Sequence, residues 1–307
     1  MIKIYKTEES IVNEIEKVED GCWINMVTPT MEECINISEQ FDIDIADVRA
    51  ALDDEESSRV DLEDGYTLIL VDIPSIEIRH KQEAYTTIPL GIILADGVII
   101  TVCGEETPVL QAFEKRRVRD FSTKKKMRFV YQILYRNYLR VIDKRRREIE
   151  ERISDDTEDK DLIDLHELES NLVYFATSLR ANGVVLDRLT RYERLKQFPE
   201  DREILEDVIV ENKQAIEMTA IYRDIINGTR ELLSTIIDNR LNNVMKYLTS
   251  ITLVMAIPTV ISGIYGMNVS GKWMPLSQTP YGFYIVCGIM VLICVIVLLI
   301  LRKRKMV

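Results

Sequence analysis

Residues 242–268 read NNVMKYLTSITLVMAIPTVISGIYGMN, and this stretch decides the architecture of the chain. No charged residue occurs from Tyr247 to Tyr265. As a helix rising about 1.5 Å per residue, a run of about 19 residues covers a hydrocarbon core of roughly 30 Å. A second uncharged run extends from Tyr281 to Leu301. The sequence therefore predicts two membrane-spanning helices near the C-terminus.

Two spans place both ends of the chain on the same side of the membrane. Basic residues that flank a span favour the cytoplasmic side. The chain ends with such a cluster, namely Arg302, Lys303, Arg304 and Lys305. We therefore expect a protein of the cell membrane with both termini in the cytoplasm. Only the short loop between the spans, whose single charge is Lys272, would face the outside.

One face of the first span is small and polar, while the other side carries residues such as Leu253 and Val260. Residues three or four positions apart lie on the same side of a helix. The polar face consists of Asn242, Met245, Leu248 or Thr249, Thr252, Ala256, Thr259 and Gly263. Lipid cannot satisfy hydroxyl and amide groups, so this face must meet protein or water. Two interpretations remain open: a seam of small residues between packed helices, or a pore lining made by several copies of the helix.

The first span ends in Tyr265-Gly266-Met267-Asn268, which also has an ordinary interpretation as a Gly-Asn helix stop. Its context is more specific, because a proline lies inside the span, Met274-Pro275 follows in the outer loop, and a second span leads to a basic tail. This arrangement resembles the CorA family of magnesium transporters. The resemblance covers the whole chain and is most specific over the two spans and their loop.

The resemblance implies both a fold and a function. The fold would be a cytoplasmic domain of the α+β class, a long helical stalk and two C-terminal transmembrane helices, assembled as a homopentamer in the lipid bilayer. The function would be channel-like passage of hydrated Mg²⁺ into the cytoplasm down the membrane potential, with Co²⁺ or Ni²⁺ as a related cargo and no enzymatic activity. Gly266, Met267 and Asn268 would form the selectivity filter, and the polar face of the first span would line the pore.

These residue types suit the chemistry of Mg²⁺. The ion is small and loses its water reluctantly, so a cage of carboxylates would trap it. Neutral oxygen dipoles, such as the side-chain oxygen of Asn268 and backbone carbonyls, hold a hydrated ion through its waters and release it again. Gly266 is expected to let the backbone turn where the helix ends. Met245 and Leu248 would form an apolar constriction that closes by losing its water.

The family also senses cytoplasmic Mg²⁺ through acidic residues that bridge neighbouring subunits. By position, Asp47 and Asp207 match these regulatory ligands, so that Mg²⁺ is both cargo and regulator. The basic tail matches a basic ring of the family near the membrane. The chain departs from the family at Leu276, where a glutamate commonly follows Met-Pro, and no acidic residue lies between Asn268 and Tyr281. We therefore expect weaker capture of external cations or a different ion preference.

The composition excludes several other classes of protein. A net charge of -12 suits divalent cations and disfavours nucleic acid as a partner. Basic runs at 115–117, 124–126 and 145–147 are interpreted as solvated helix faces with ion pairs. The five cysteines form no C-x-x-C pair and the chain has two histidines, so a zinc site is disfavoured. The sequence contains no phosphate-binding loop and no known catalytic motif, which disfavours an enzyme.

The part of the chain before the spans divides into a mixed α and β region and a helical region. Thr30 with Glu33 predicts a capped helix from Met31, and Asp64-Gly65 and Asp96-Gly97 predict β-hairpins. Further predictions are strands at 2–5 and 22–27 and helices at 44–52, 108–120, 124–153, 160–197 and 201–266. The predicted domains are 1–118 (mixed α/β), 119–240 (stalk), 241–266 (first span), 267–281 (outer loop), 282–301 (second span) and 302–307 (tail).

Two alternatives remain beside the magnesium transporter. One is the zinc-transporting branch of the same superfamily, which tends to change the middle residue of Gly-Met-Asn, whereas Met267 is intact here. The other is a membrane-anchored coiled-coil sensor or adaptor that transports nothing. It is opposed by the Gly-Met-Asn ending of the first span and by the polar stripe. Apolar residues at helical spacing, such as Val208, Ala215, Ile225, Leu232 and Ile236, predict that the stalk helix packs.

Overall fold

The structure is a computed structural model that describes residues 1–9, 11–79, 82–135, 159–192 and 199–304. The chain divides into two compact units, Met1–Gly228 and Thr229–Val307. The first unit contains all seven strands of the described chain. Two helices, Glu200–Tyr265 and Gly282–Lys303, are long and apolar enough to cross a membrane, and both end in the second unit.

The first unit is built on a single mixed sheet. Its strands run in the order β2-β1-β3-β7-β6-β5-β4, and every pairing is antiparallel except β3 with β7. The strands are β1 Ile2–Glu8, β2 Ile11–Ile15, β3 Cys22–Val27, β4 Arg59–Leu62, β5 Tyr66–Arg79, β6 Gln82–Ala95 and β7 Val98–Cys103. The sequence left open whether the sheet is antiparallel or mixed, and the parallel pair in its centre decides this point.

Both predicted Asp-Gly hairpins are confirmed. β4 turns into β5 through Gly65 at φ 96°, and β6 turns into β7 through Gly97 at φ 74°. Both angles lie in the left-handed region that glycine adopts without steric cost. At Gly97 a Cβ atom would also lie only 2.6 Å from the Asp20 carboxylate.

Helices cover both faces of the sheet, which confirms and extends the expectation of helices on at least one face. One face packs with Cys34, Ile37 and Val48 of the first two helices. The opposite face packs with Phe113, Phe129, Leu186 and Leu205 of four later helices. Strand β7 is buried over its whole length because neighbouring residues serve opposite faces: Ile99 belongs to one core and Ile100 to the other.

The helices are α1 Met31–Phe41, α2 Ile45–Arg49 followed by a 3-10 helix Ala50–Leu52, α3 Pro108–Glu114, α4 Lys126–Tyr135, α5 Asp159–Arg191, α6 Pro199–Tyr265 and α7 Gly282–Lys303. The capping box of α1 is confirmed: the Glu33 amide donates to Thr30 Oγ1 at 3.2 Å, and Glu33 accepts from the Thr30 amide at 2.8 Å. The uninterrupted helix from the stalk into the first span is also confirmed, with Pro258 inside it.

Two helix predictions need correction and others lie partly outside the described residues. The helix expected at 108–120 ends at Glu114, because Arg116 and Asp120 adopt left-handed φ angles of 58° and 55° that a helix cannot accommodate. The next one begins at Lys126 rather than at 124. The remainder of the helix predicted to reach 153, the third basic run and the end of the helix predicted to reach 197 lie outside the described residues.

The apolar residues predicted to pack along the stalk lie on α6, and in the second half of this row the buried positions are displaced by one residue. Val208 and Ala215 are buried as expected, but the row continues through Ile226 and Leu233. Ile225 and Leu232, which were expected to pack, are 48% and 66% exposed in the single chain. The reason is that 3.6 residues per turn do not divide evenly into steps of seven, so a straight row drifts around the helix.

Candidate ion pathway

The predicted pore-lining residues share one exposed side of α6. Met245 and Leu248 are 53% and 58% exposed. The other members of the stripe are exposed as well, namely Asn242, Thr252, Ala256, Thr259 and Gly263. A Cβ atom added to Gly263 would meet nothing within 4 Å. This polar stripe therefore has room in front of it along its whole length.

The opposite side of α6 is less exposed and packs within the chain. Its buried or half-buried members are Ser250, Val254, Ile257, Pro258 and Ile261. On α7 the less exposed residues are Val286, Cys287, Met290, Cys294, Val297 and Leu301, at helical spacing. Cys294 Sγ lies 3.9 Å from the Val254 carbonyl oxygen and links the two sides. At 3.6 residues per turn this packing side lies about 180° around α6 from the polar stripe.

The threonine hydroxyl groups of the stripe donate their protons to their own helix. Thr252 Oγ1 donates to the Leu248 carbonyl at 2.8 Å, and Thr259 Oγ1 donates to the Met255 carbonyl at 2.9 Å. Such bonds satisfy the donor but leave oxygen lone pairs free to accept from water. The stripe can therefore present acceptor oxygens, the groups that interact favourably with a hydrated cation.

The three predicted filter residues follow directly after the end of α6 and are all exposed. The Gly266 amide still donates to the Ser262 carbonyl at 2.9 Å, and the Met267 amide donates to the Ile264 carbonyl at 3.3 Å. The Val269 amide in turn donates to the Met267 carbonyl at 2.9 Å, which leaves one lone pair on that carbonyl. The Asn268 side chain and the Gly266 and Met267 carbonyls are thus neutral oxygen dipoles at this end of the helix.

Gly266 lies in the turn directly after the last helical residue, as expected, but this turn does not use a glycine-specific backbone angle. Gly266 does not adopt a left-handed φ angle; in the described chain the glycines that do so are Gly21, Gly65 and Gly97. The helical hydrogen bond of its amide continues past the last helical residue, so the backbone leaves the helix gradually. A Cβ atom at Gly266 would lie 3.2 Å from the Ser262 carbonyl oxygen, the same atom that accepts from the Gly266 amide.

The loop after the filter is held by side chains that the sequence did not single out. The Tyr265 hydroxyl donates to the Pro275 carbonyl at 2.7 Å. Ser277 Oγ lies 2.6 Å from the Gly271 carbonyl, and Thr279 Oγ1 donates to the Leu276 carbonyl at 2.8 Å. A 3-10 helix, Gly271–Trp273, occupies the start of the loop. The Ser and Thr residues were a usable signal, because both types bond to nearby backbone in turns.

Comparison with known proteins decides which family these features belong to. A family model described as CorA-like Mg2+ transporter protein matches residues 18–303. The chain belongs to this family. A cobalt/magnesium transport protein CorA of Methanocaldococcus jannaschii is 31% identical, over 92% of this chain and 90% of the relative. A magnesium transport protein CorA of Campylobacter jejuni is 23% identical over 99% of both chains.

Solved structures support the same assignment. The complete structure of the CorA magnesium transporter from Methanocaldococcus jannaschii matches with a TM-score of 0.80 and 26% identity, over 99% of this chain and 98% of that chain. The full-length CmaX protein matches with a TM-score of 0.66 at 16% identity and shares the fold. The predicted family and fold class are confirmed, and membership in a family of membrane transporters means that the chain is not an enzyme.

The two proposed regulatory carboxylates of this CorA family member have different surroundings. Asp47 is half-buried on α2, and its Oδ2 accepts a hydrogen bond of 2.6 Å from the Tyr66 hydroxyl. Burial and this bond raise the pKa of Tyr66 to about 12. Asp207 is exposed on α6. Within one chain, the described residues contain no group of three or more His, Cys, Asp or Glu side chains that could hold a metal ion.

The basic segments either contact other parts of the fold or lie at the C-terminal end of α7. Arg116 of the first run donates to the Val12 carbonyl at 2.9 Å, and Lys125 of the second run forms an ion pair with Glu200 of α6 at 3.5 Å. These contacts connect different segments of the chain, whereas the sequence predicted ion pairs within one helix. Of the basic tail, Arg302 and Lys303 complete the last turn of α7, Arg304 follows it, and Lys305 lies outside the described residues.

Proposed function

We propose that several copies of this chain form a Mg²⁺ channel in which the polar stripes of α6 face a common axis. The observation that carries the proposal is the placement of the stripe opposite the side of α6 that packs on α7. Lipid cannot satisfy the hydroxyl and amide groups of this stripe, and α7 already covers the opposite side of α6. Stripes from other copies are therefore the partners that complete the lining.

Self-association has further support along the helix. The apolar side chains Ile221, Ile225 and Leu232 of α6 are 50%, 48% and 66% exposed in the single chain. Contact with other copies would remove this apolar surface from water. We propose a homopentamer, and the number five comes from the family resemblance alone. The domain boundaries predicted from the sequence, including the division at residues 118 and 240, are part of the same proposal.

The direction of transport follows from the charge of the ion and the orientation of the chain. With both termini in the cytoplasm, the filter at Gly266, Met267 and Asn268 is the external entrance. A doubly charged ion gains roughly 4.6 kcal/mol per 100 mV of inside-negative potential, so no ATP is needed. At the inner end, Met245 and Leu248 form the constriction, and the basic residues from Arg302 onward surround the exit.

The proposed regulation uses Mg²⁺ bound between neighbouring copies. Asp47 of one copy and Asp207 of the next would share the ion, and its loss would wet the constriction and open the channel. Limited proteolysis of the full-length protein with and without millimolar Mg²⁺ tests this idea. Mg²⁺ should protect the wild type and not Asp207→Ala, while Asp224→Ala, another exposed carboxylate of α6, keeps the protection. Equal cleavage of all three proteins in Mg²⁺ would contradict the regulatory assignment.

Flux into proteoliposomes tests the conduit itself. The vesicles contain a magnesium-sensitive dye, and an inside-negative potential is applied to wild type, Asn268→Ala and the matched amide control Gln278→Ala. We expect potential-driven Mg²⁺ entry in the wild type and the control, and entry at the level of empty vesicles in Asn268→Ala. Asn242→Ala should also reduce entry, whereas its neighbour Asn243→Ala, which lies off the stripe, should not.

Parallel measurements with Co²⁺ and Zn²⁺ distinguish the alternatives. Entry of Zn²⁺ without Mg²⁺ would assign the chain to the zinc-transporting branch. An absence of any flux from folded, oligomeric protein would refute the transport proposal and leave the membrane-anchored sensor. Because Lys272 is the one charge of the outer loop, we also expect uptake that saturates only at high external Mg²⁺.

A further inference from the structure

We propose that the outer loop is a clip that holds the filter against the start of α7, and that Tyr265 and Gly282 are its positioning residues. The proposal rests on the proposed role of Gly266, Met267 and Asn268 as the filter. Neither Tyr265 nor Gly282 needs to touch the ion, because each acts by fixing the loop that follows the filter. Two contacts carry the argument, and they meet at adjacent residues of the loop.

The first contact ties the loop to the end of α6. Tyr265 is the last residue of that helix and directly precedes the filter. Its hydroxyl donates to the Pro275 carbonyl at 2.7 Å, across ten residues of sequence. The bond closes the intervening segment into a ring that contains Gly266, Met267 and Asn268. The filter therefore cannot move away from the loop without breaking this hydrogen bond.

The second contact ties the loop to the beginning of α7. Gly282 is buried, and a Cβ atom added to it would lie 1.9 Å from the Leu276 carbonyl oxygen and 2.8 Å from Thr279 Oγ1. The Leu276 carbonyl thus occupies the space that any other side chain would need. Leu276 itself has a left-handed φ of 65°, a strained conformation for a leucine that the surrounding contacts must maintain.

Backbone hydrogen bonds fix the segment between these residues. The Leu276 carbonyl accepts from the Thr279 amide at 3.3 Å and from its hydroxyl at 2.8 Å. The Gly282 amide donates to the Thr279 carbonyl at 3.0 Å. Because Pro275 and Leu276 are consecutive, the end of the first span and the start of the second are joined through a single dipeptide.

The filter depends on this clip because its own bonds are few. The last helical bonds end with the Gly266 and Met267 amides, and beyond them the Val269 amide donates to the Met267 carbonyl at 2.9 Å. A ring of amide oxygens discriminates between hydrated ions by their number and spacing. Loosening the clip should therefore change which ion is preferred more than it changes whether the protein assembles.

The test compares two clip variants with matched controls in full-length protein. Tyr265→Phe removes one hydroxyl, and Tyr284→Phe makes the same change at a tyrosine that is 73% exposed. Gly282→Ala adds a methyl group where the carbonyl lies, and Gly288→Ala adds it on the same helix where nothing lies within 4 Å. Initial rates of Mg²⁺ and Co²⁺ entry are measured in proteoliposomes, and size-exclusion chromatography verifies assembly.

We expect the Mg²⁺ to Co²⁺ rate ratio to change by roughly two- to tenfold in Tyr265→Phe, the range that loss of one net hydrogen bond gives. Gly282→Ala should shift it in the same direction, and both controls should keep the wild-type ratio. A Tyr265→Phe ratio equal to that of Tyr284→Phe overturns the clip, whatever Gly282→Ala does. A wild type without flux would instead refute the proposed function, so the two failures are distinguishable.

Discussion

The two units of the chain treat the same residue types in opposite ways. In Met1–Gly228 the aliphatic residues of β7 are buried, and Ile100 is 0% exposed. In Thr229–Val307 many aliphatic residues of α7 are exposed instead, and Val291 and Leu299 are 62% and 61% exposed. Polar groups differ as well: Asn182 is buried and paired in the first unit, whereas Asn242 is exposed on a stripe in the second.

This difference teaches that the solvent, rather than the residue type, sets where a side chain belongs. In water, apolar surface is removed into a core, and buried amides must find partners. In a bilayer, apolar surface faces lipid at no cost, and the polar groups are the ones that must be turned inward. Four predictions test this contrast, from the largest expected effect to the smallest.

Trp23→Ala should cause the largest loss of stability, about 3–5 kcal/mol. Trp23 is fully buried, its ring centroid lies 4.9 Å from that of Phe129, and its indole N–H donates to Thr101 Oγ1 at 2.8 Å. The change leaves a cavity and removes one of the two hydrogen bonds of the Thr101 hydroxyl, which still donates to Asn25 Oδ1 at 2.9 Å. Thermal unfolding followed by near-UV circular dichroism measures the effect. Tyr284→Ala, at an exposed aromatic of the second unit, should shift the transition little, and a comparable shift would contradict the contrast.

Val291→Lys should impair membrane insertion by about 3 kcal/mol, the cost of a lysine near the centre of a span. Val210→Lys is the matched control, because Val210 is 63% exposed against 62% for Val291 but lies on the part of α6 that belongs to the first unit. Extraction of membranes with alkaline carbonate should release Val291→Lys more readily than Val210→Lys. Equal release of both variants would mean that exposure in the second unit does not represent lipid contact.

Asn182→Ala and Asn242→Ala should separate stability from transport. Asn182 donates to the Asp72 carbonyl at 2.8 Å and accepts from the Asp72 amide at 3.0 Å, so its loss removes two hydrogen bonds to the backbone of β5. We expect a loss of about 1–3 kcal/mol in unfolding free energy with normal flux per folded protein. Asn242→Ala should show the reverse, with reduced flux at unchanged stability. Reduced stability in both would argue for a packing seam instead of a pore lining.

The smallest effect concerns pH. The pKa of Tyr66 is raised to about 12 by burial and by its bond to Asp47, above the ordinary value of 10.0. A raised pKa means that the folded state keeps a proton that the unfolded state releases. The stability from this group is therefore complete below pH 10 and is lost as the pH rises towards 12. Unfolding free energy should fall less steeply over this window in Tyr66→Phe, and identical slopes would contradict the assignment.

Much of this architecture could be predicted from local patterns. The capping box at Thr30 and Glu33, the hairpins at Gly65 and Gly97 and the two spans each depend on residues close together in sequence. Strand β2 was not predicted, because its five residues, IVNEI, alternate too briefly to stand out. The full length of β5 and β6 was also missed, since charged residues near their turn do not look like strand interior.

In the candidate site, too, some features could be predicted from the sequence and others could not. The stripe from Asn242 to Gly263 and the filter at Gly266, Met267 and Asn268 were predicted from spacing and resemblance, and their roles stay predictions. The side of α6 that meets α7 could not be derived, since both sides contain residues acceptable to lipid. The Tyr265–Pro275 bond and the space requirement at Gly282 likewise depend on how the loop folds back, which no local pattern records.

The sequence by itself determined the family, the two spans and the local starts and stops of helices and hairpins, because these follow from the chemistry of neighbouring residues. The tertiary structure alone decided the parallel pairing of β3 with β7, the register of the apolar row on α6 and the contact between Gly282 and Leu276. The physical reason is that each of these joins segments through shape and backbone geometry. Many sequences satisfy such contacts, so their presence becomes visible only when the chain is folded.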